Sequence, residues 1–79
     1  MEKYILYVEK KNGKKYEVIN TFTDKEFVME SFIGTMRQKF LYGSKNIFRV
    51  ESRTNYDGTM TAKFSMMNGY RYTYIIPDR

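Results

Sequence analysis

Three Asx-Gly pairs constrain what this chain can fold into more than any other feature of its sequence. They are Asn12-Gly13, Asp57-Gly58 and Asn68-Gly69, and each lies between segments in which apolar and polar residues alternate. Such pairs favour hairpin turns because glycine accepts positive φ angles, and Asn12-Gly13 has the composition of a type I′ turn. We therefore predict an antiparallel meander with strands at residues 4–9, 16–19, 47–54, 59–66 and 70–76.

A helix is predicted between the second and third strands. Thr23-Asp24-Lys25-Glu26 has the pattern of a capping box, in which Thr23 accepts from a helical amide and Glu26 bonds back to the Thr23 amide. Phe22 and Phe27 flank this box at the spacing of a hydrophobic staple. The sequence therefore predicts a helix whose N-cap residue is Thr23.

The predicted helix carries one apolar stripe. Its members recur at spacings of three and four, which places them on one helical face, and they are Met29, Phe32, Ile33, Met36 and Phe40. Gly43 is positioned to end the helix. Gly34, inside the helix, costs about 1 kcal/mol relative to alanine, and we interpret it as a point of close approach to the sheet.

Alternation along the strands separates an apolar face of the sheet from a polar one. The apolar face, which we expect under the helix, carries Tyr4, Leu6, Val8, Tyr16, Val18, Phe48, Val50, Met60, Ala62, Phe64, Met66, Tyr70, Tyr72 and Tyr74. The polar face carries Arg49, Glu51, Arg53, Thr59, Thr61, Lys63, Ser65, Arg71 and Thr73, together with Ile5, Tyr7, Ile19, Ile47 and Ile75. This division is typical of an antiparallel sheet that carries a helix on one side.

These elements predict the fold class α+β, with residues 1–79 forming a single domain. The domain is a two-layer sandwich, a five-stranded antiparallel sheet with one helix packed on one face, and its topology is β-β-α-β-β-β. The strand orders 2-1-3-4-5 and 2-1-5-4-3 are both compatible with the sequence. The second order gathers Ile5, Tyr7, Ile19 and Ile75 into one apolar patch on the face without the helix, and such a patch favours a protein interface.

The predicted sheet is wider than its helix. Five strands span roughly 20 Å, whereas a helix with its side chains is about 10–12 Å wide. Either the sheet curls around the helix or apolar surface stays open for a partner. We expect Tyr70, Tyr72 and Tyr74 to line a half-covered margin, and a last strand at the sheet edge would be available to pair with a second copy.

The composition excludes most catalytic chemistry. The 79 residues contain no histidine and no cysteine, so the chain has no imidazole base, no thiolate nucleophile and no zinc site of the usual kind. Its five glycines are scattered rather than gathered in a phosphate-binding loop. We therefore expect a non-enzymatic protein with no catalytic residues, no cofactor and no metal site.

Fourteen lysine and arginine residues against nine acidic residues leave a net charge of +5, and many of the basic residues fall into two groups. One group surrounds the first hairpin turn and consists of Lys10, Lys11, Lys14 and Lys15. The other lies on the polar sheet face and consists of Arg49, Arg53, Lys63 and Arg71. Cations beside small hydroxyls are typical of contacts with phosphate oxygens. The leading hypothesis is a small binding module that contacts the phosphate backbone of nucleic acid, with Tyr7 and Tyr56 available to stack on bases.

The alternative hypothesis is a protein–protein interaction module. Such a module would be a homodimer or a small phage-type inhibitor of a host protein, and it would use the open sheet face or an edge strand. Its candidate interface residues are Ile5, Tyr7, Ile19 and Ile75. Glu9, Glu17 and Glu51 dilute the basic groups, as on an ordinary solvated surface. The sequence leaves nucleic acid, a protein partner and self-association open.

No targeting or membrane-spanning segment is predicted. The apolar run at residues 4–8 is far shorter than the roughly 18–20 residues of a membrane span. We expect no membrane partner and a cytoplasmic location. Lys, Asn, Ile, Tyr and Phe, whose codons are AT-rich, make up 34 of the 79 residues, which points to a low-GC bacterium or one of its phages as the source.

Overall fold

The chain runs through five strands and one helix in the predicted order. The structure is a computed structural model that describes residues 3–78, so residues 1, 2 and 79 of the predicted domain lie outside the described residues. The elements are β1 (Ile5–Asn12), β2 (Lys15–Phe22), α1 (Lys25–Phe40), β3 (Ile47–Thr54), β4 (Thr59–Met66) and β5 (Tyr70–Pro77). All strand pairs are antiparallel, and α1 packs on one face of the single sheet. The predicted α+β class is confirmed.

The strand order is β2-β1-β5-β4-β3, the second of the two orders that the sequence allowed. The last strand, β5, is therefore the central strand, and the alternative order that places it at an edge is wrong. The two edges are β2 and β3. Because a central strand has its backbone groups paired on both sides, β5 has no free edge for pairing with a second copy.

The core lies between α1 and the sheet, mostly over its three central strands. Its buried side chains are Leu6, Val28, Ile47, Ala62, Phe64, Tyr74 and Ile76. Phe32 of the helix meets Phe64 and Tyr74 edge to face, with ring centroids 6.2 and 5.3 Å away, an arrangement that aromatic rings prefer. The helix therefore stands over the middle of the sheet.

Tyr74 is completely buried, whereas Tyr70 and Tyr72 are half-buried, so only the outer part of the tyrosine column lines a margin. The Tyr74 hydroxyl lies 2.7 Å from Ser31 Oγ and 3.0 Å from Thr35 Oγ1 on the helix. Burial raises the pKa of Tyr74, and these two hydrogen bonds only partly oppose the rise. The hydroxyls of Ser31 and Thr35 thus give the buried Tyr74 hydroxyl its hydrogen-bond partners.

The N-cap of α1 is Asp24, so the prediction of Thr23 is wrong. The Asp24 carboxylate accepts from the amides of Glu26 at 2.9 Å and Phe27 at 3.2 Å. Strand β2 stays extended to Phe22, which pairs with Leu6, and the helix therefore starts one residue later than the capping box requires. Asp24 also places a negative charge at the positive end of the helix dipole. The predicted contact between Phe22 and Phe27 is present, with ring centroids 4.8 Å apart.

The two glycines to which the sequence assigned a role in the helix, Gly34 and Gly43, have different outcomes. Gly43 has a φ of 64° just beyond the helix, as expected of a residue that ends it. Gly34 is exposed, and a Cβ added there would meet no heavy atom of the described chain within 4 Å. The interpretation of Gly34 as a close-approach point is therefore wrong.

Two β-bulges move residues to the opposite face from the one that alternation predicts. In β2 the register shifts at Ile19, so Tyr16 pairs with Lys11 and Val18 with Glu9, on the side away from the helix. In β3 the register shifts at Phe48, which is 54% exposed, and Ile47 enters the core opposite Met66. An inserted residue reverses the parity of everything before it in the strand. The predicted faces of Tyr16, Val18, Ile47 and Phe48 are wrong for this reason.

The first hairpin turn differs in type from the prediction. Strand β1 ends at Asn12 and β2 begins at Lys15, so the two central turn residues are Gly13 and Lys14. Gly13 has a φ of 66°, and no non-glycine residue between 3 and 78 has a positive φ. A positive φ at the first central residue alone is typical of a type II′ turn, not of type I′.

Apolar surface stays open at the sheet edges, which is one of the two outcomes expected from the width of the sheet. Val18 and Ile19 on β2 and Phe48 on β3 are each more than half exposed. The helix α1 has 16 residues, and no helix in the described range has the length and apolar character that crossing a membrane requires.

Candidate nucleic-acid interface

The open face is the side of the sheet away from α1, and the strand pairing arranges its residues in rows. One row contains Arg53, Thr61, Ile75 and Ile5; the next contains Glu51, Lys63, Thr73 and Tyr7; the third contains Arg49, Ser65, Arg71 and Glu9. Directly paired residues of antiparallel strands point to the same face. All four basic residues predicted for the sheet, Arg49, Arg53, Lys63 and Arg71, therefore lie on the open face.

Four cations form a diagonal across the open face. Arg53 is on β3, Lys63 on β4, Arg71 on β5 and Lys11 on β1, and each is one strand and one row beyond the last. Diagonal neighbours in a sheet lie roughly 7–8 Å apart. This spacing is comparable with the distance between successive phosphates of an extended nucleic-acid strand.

Arg71 is tied into a closed polar network. Its Nη2 donates to Glu9 Oε2 at 2.7 Å and its Nε donates to Glu9 Oε1 at 3.1 Å, while the Thr73 hydroxyl donates to the same carboxylate. The Tyr16 ring covers the guanidinium, whose Cζ lies 3.9 Å from the ring centroid. Glu9 and Thr73 are buried although they lie on the face without the helix. These groups form a bidentate charge-assisted pair that is largely shielded from water.

The titration of Glu9 reflects this network. Burial raises the pKa of Glu9, but the hydrogen bonds from Arg71 and Thr73, with the charges of Arg71 and Lys63, outweigh burial and hold it below its ordinary value. The Arg71 guanidinium in turn has a raised pKa, mainly because of its hydrogen bond to Glu9. Glu9 is therefore ionised and neutralises Arg71.

A second arginine on the open face is also paired, but at the surface. Arg49 Nε lies 3.3 Å from Glu51 Oε1, and both side chains are about half exposed or more. Exposed pairs of this kind hold each other weakly. Within residues 3–78, Arg53 and Lys63 form no ion pair. The structure thus brings the four sheet cations together but leaves only these two free of a carboxylate partner.

The four lysines of the first hairpin are all exposed. Lys10 lies over the Tyr70 ring at 5.7 Å and is paired across the strands with Glu17. The backbone amide of Lys11 donates to Gly69 O at 2.7 Å, which ties this hairpin to the turn between β4 and β5. Lys14 is a central residue of the turn, and Lys15 begins β2, where it pairs with Asn12. The hairpin therefore gathers positive charge at one end of the sheet, and Lys11 brings part of that charge onto the open face.

A shallow depression of about 300 Å³ lies at the β3–β4 end of the open face. Its lining residues are Glu51, Ser52, Arg53, Thr61 and Lys63. Beside it, the Asn55 amide nitrogen donates to Thr61 Oγ1 at 2.9 Å and to Thr59 Oγ1 at 3.0 Å. The Thr59 hydroxyl donates in turn to Asp57 Oδ1 at 2.5 Å. The two basic residues without a carboxylate partner therefore meet a hydroxyl that belongs to a hydrogen-bonded chain.

The apolar residues predicted for a protein interface are partly gathered. Ile5 is paired with Ile75, and Tyr7 lies in the next row, so these three half-buried side chains are neighbours. Ile19 is 54% exposed and lies on the edge strand at the bulge, diagonal to Tyr7. Ile5, Ile75 and Tyr7 therefore form one patch beside the basic diagonal, and Ile19 lies apart from them on the edge strand.

A separate apolar groove lies on the outer side of α1. It has a volume of about 300 Å³ and is lined by Phe32, Ile33, Met36, Arg37, Phe40 and Leu41. Ile33 and Phe40, which the sequence places in the core-facing stripe, are 42% and 60% exposed. The helix packs through Val28 and its neighbours, so the stripe is wider than the surface that the sheet covers.

The sequence did not single out the side chains that surround Arg53. The sequence predicts a turn at Asp57-Gly58, a stacking ring at Tyr56 and a polar-face hydroxyl at Thr59, and it assigns no role to Asn55. One sequence pattern could have indicated this turn, namely an Asp or Asn two positions before a threonine. At that spacing the Asx side chain accepts from the backbone amide of the threonine, as Asp57 Oδ1 does from Thr59 N at 3.1 Å. That the threonine hydroxyls line up beside Arg53 depends on strand register.

No group of three or more acidic, histidine or cysteine side chains between residues 3 and 78 is arranged to hold a metal ion. Comparison of the chain with protein-family models, with curated proteins and with solved structures finds no match.

Proposed function

We propose that this protein is a non-enzymatic module that binds the phosphate backbone of nucleic acid through the open face and the lysine hairpin. The observation that carries the proposal is the diagonal across the open face, in which Arg53, Lys63 and Lys11 form no ion pair within residues 3–78, whereas Arg71 is neutralised by Glu9. A line of cations at this spacing suits a chain of phosphates better than a single small anion.

The charge balance of the open face supports this proposal. Five basic side chains lie there, namely Arg49, Arg53, Lys63, Arg71 and Lys11, against the two carboxylates of Glu9 and Glu51. The excess continues into Lys14 and Lys15 at the turn. Tyr7 on the open face adds an aromatic ring on which an unpaired base can stack.

The test is the salt dependence of binding to single- and double-stranded DNA and RNA of mixed sequence. If about five phosphates are neutralised, log K falls against log salt with a slope of roughly −3.5 for single strands and −4.5 for duplexes. Fluorescence anisotropy between 20 and 200 mM salt measures this slope. Absence of binding to all four nucleic acids at 20 mM salt rules the proposal out.

Matched variants locate the binding surface. Arg53→Gln/Lys63→Gln and Lys14→Gln/Lys15→Gln each remove two charges from the proposed surface, and Lys25→Gln/Arg37→Gln removes two from the helix. We expect the first two variants to weaken binding by about tenfold at low salt and to reduce the slope by about 1.5. The helix variant changes only the net charge and should stay within about twofold of wild type. Equal losses in all three would contradict a defined surface.

A second candidate is a protein interface, and the patch of Ile5, Ile75 and Tyr7, with the exposed Ile19 on the nearby edge strand, favours it. The exposed edge strand β2 borders this patch, and exposed strand edges pair readily with other strands. Light scattering on a sizing column at high concentration tests self-association. If the protein dimerises through this patch, Ile19→Lys should return it to the monomer mass, since the charge would be buried in the interface.

A further inference from the structure

Three donors converge on the depression at the β3–β4 end of the open face. Arg53 and Thr61 are directly paired across the strands, and Lys63 follows Thr61 by two residues on the same face. Directly opposed side chains start about 4.5–5.5 Å apart at Cβ. The guanidinium, the ammonium and the hydroxyl therefore reach one volume of about 300 Å³.

Asp57 determines which way the neighbouring hydrogen bonds run. Its carboxylate only accepts, and the hydrogen bonds from the Thr59 hydroxyl and amide hold the pKa of Asp57 below its ordinary value. The Thr59 hydroxyl hydrogen is thus committed to Asp57. The Thr59 oxygen must then accept from Asn55, which places the NH₂ group of Asn55, and not its carbonyl, beside the two threonines.

The same NH₂ group fixes the role of Thr61. Asn55 Nδ2 lies 2.9 Å from Thr61 Oγ1, so this oxygen accepts and its own hydrogen must point elsewhere. Among the described residues, no protein acceptor takes that hydrogen. Thr61 lines the depression. A carboxylate three hydrogen bonds away therefore makes Thr61 a donor toward the depression.

Glu51 is the one group in the depression that disfavours an anion. It is paired directly with Lys63 in the strand register, and its carboxylate contacts Arg49 Nε at 3.3 Å. That contact partly neutralises Glu51 without removing it from the rim. Removal of its charge should therefore strengthen anion binding.

We infer that this depression is a seat for one phosphate group, held by Arg53, Lys63 and the Thr61 hydroxyl. The inference rests on the proposed function for its ligand class, because a phosphate chain along the basic diagonal would enter the open face here. It adds a defined binding point, with a directional hydroxyl donor, to a surface that otherwise attracts phosphates by charge alone.

The direct test is a titration of the ¹⁵N-labelled protein with inorganic phosphate at pH 7.5 and low ionic strength. We expect saturable shifts at Arg53 Nε and at the amides of residues 52–54 and 61–63. A parallel titration with chloride corrects for ionic strength. Shifts that are largest at Lys10–Lys15, or spread evenly over all basic residues, would overturn the inference.

Three variants separate the directional donor from general charge. Thr61→Val keeps shape and charge and should weaken phosphate binding about three- to tenfold, whereas Thr61→Ser should restore it. Glu51→Gln should tighten binding about two- to fivefold. Lys25→Gln/Arg37→Gln changes the net charge on the helix and should leave the shifts at residues 61–63 in place. A Thr61→Val variant that is folded and binds phosphate like the wild type would contradict the role of Thr61.

The outcome is independent of the nucleic-acid titration. Localised phosphate binding without binding of any oligonucleotide would retain the phosphate seat and reject the proposed function. Oligonucleotide binding with no localised phosphate shifts would retain the proposed function and reject the phosphate seat. Oligonucleotides with and without a 5′-phosphate distinguish the source of the group: a preference for the phosphorylated end indicates a terminal phosphate, and equal binding that Thr61→Val weakens indicates a backbone phosphate.

Discussion

Two polar networks on the same sheet face end in different ways. In the network of Glu9, Arg71 and Thr73, the Arg71 Nε and Nη2 and the Thr73 hydroxyl all donate to the one carboxylate, and the Tyr16 ring covers the guanidinium. The chain from Asp57 through Thr59 and Asn55 ends instead on the Thr61 hydroxyl, beside two cations with no carboxylate partner. A closed network holds the protein together, whereas an open-ended one has a donor left for a ligand.

The largest difference in stability should appear when Glu9 is removed from the closed network and, in a second variant, Glu51 is removed from the rim of the depression. Glu9→Ala leaves the Arg71 guanidinium, which is mostly buried, without its counter-charge, and we expect a loss of about 3 kcal/mol in the free energy of unfolding. Glu51→Ala removes a carboxylate bound to an arginine on the same face, but at the surface, and should cost less than about 0.5 kcal/mol. Urea denaturation measures both, and similar losses would contradict the comparison.

The second largest effect is the loss of stability at low pH, which we expect to come from Glu9 in the closed network. Because the pKa of Glu9 is lower in the folded protein than in the unfolded chain, the unfolded chain binds its proton first as pH falls. The stability from Glu9 is therefore present above its unfolded pKa of about 4.3 and is lost below it, as pH passes through the folded pKa. Urea midpoints at pH 6, 4 and 3 should fall more steeply for the wild type than for Glu9→Gln. Parallel curves would show that Glu9 does not carry this dependence.

A matched pair of threonines gives a smaller effect. Thr73→Val removes a buried donor to Glu9 and should cost about 1–2 kcal/mol in the free energy of unfolding. Thr61→Val removes a half-exposed hydroxyl whose Asn55 partner can turn to water, and should stay within about 0.5 kcal/mol of wild type. Thermal denaturation of the two variants checks the order. A larger loss in Thr61→Val would make the open-ended chain a structural network as well.

The smallest expected effect tests the bulge in β2. Tyr16→Leu should cost about 0.5–1 kcal/mol in the free energy of unfolding, because the ring lies over the Arg71 guanidinium. Val18→Ala, on the same strand and face, removes an exposed side chain and should be nearly neutral. The same urea experiment compares them. A loss for Val18→Ala that exceeds that for Tyr16→Leu would place Val18, not Tyr16, in the packed part of the molecule.

Short-range patterns predicted the elements of the fold well. The Asx-Gly pairs and the alternating segments placed all five strands and the helix in the right order, because turn and strand preferences act within a few residues. They also placed Arg53, Lys63 and Arg71 on one face. Predictions that depended on counting through a strand failed wherever a bulge intervened, as at Ile19 and Phe48.

The candidate site was predictable only in its charges. That Arg71 is neutralised and Arg53 is not follows from the position of Glu9 beside β5, and this contact joins residues more than sixty positions apart. The donor role of Thr61 requires Asn55 and Asp57 to be held at bonding distance by the turn between β3 and β4. No pattern in the sequence orients a hydroxyl.

The sequence by itself determined the class of this protein, the places of its helix and turns along the chain, and the excess of positive charge on one side of the sheet. Those properties follow from preferences of residues and their near neighbours. The tertiary structure alone decided that β5 is central, that Tyr74 is core, and that, within residues 3–78, Arg53 and Lys63 are the two sheet cations without a carboxylate partner. These outcomes depend on which strands pair after the helix returns the chain, and the sequence allowed two such pairings with nearly the same local interactions.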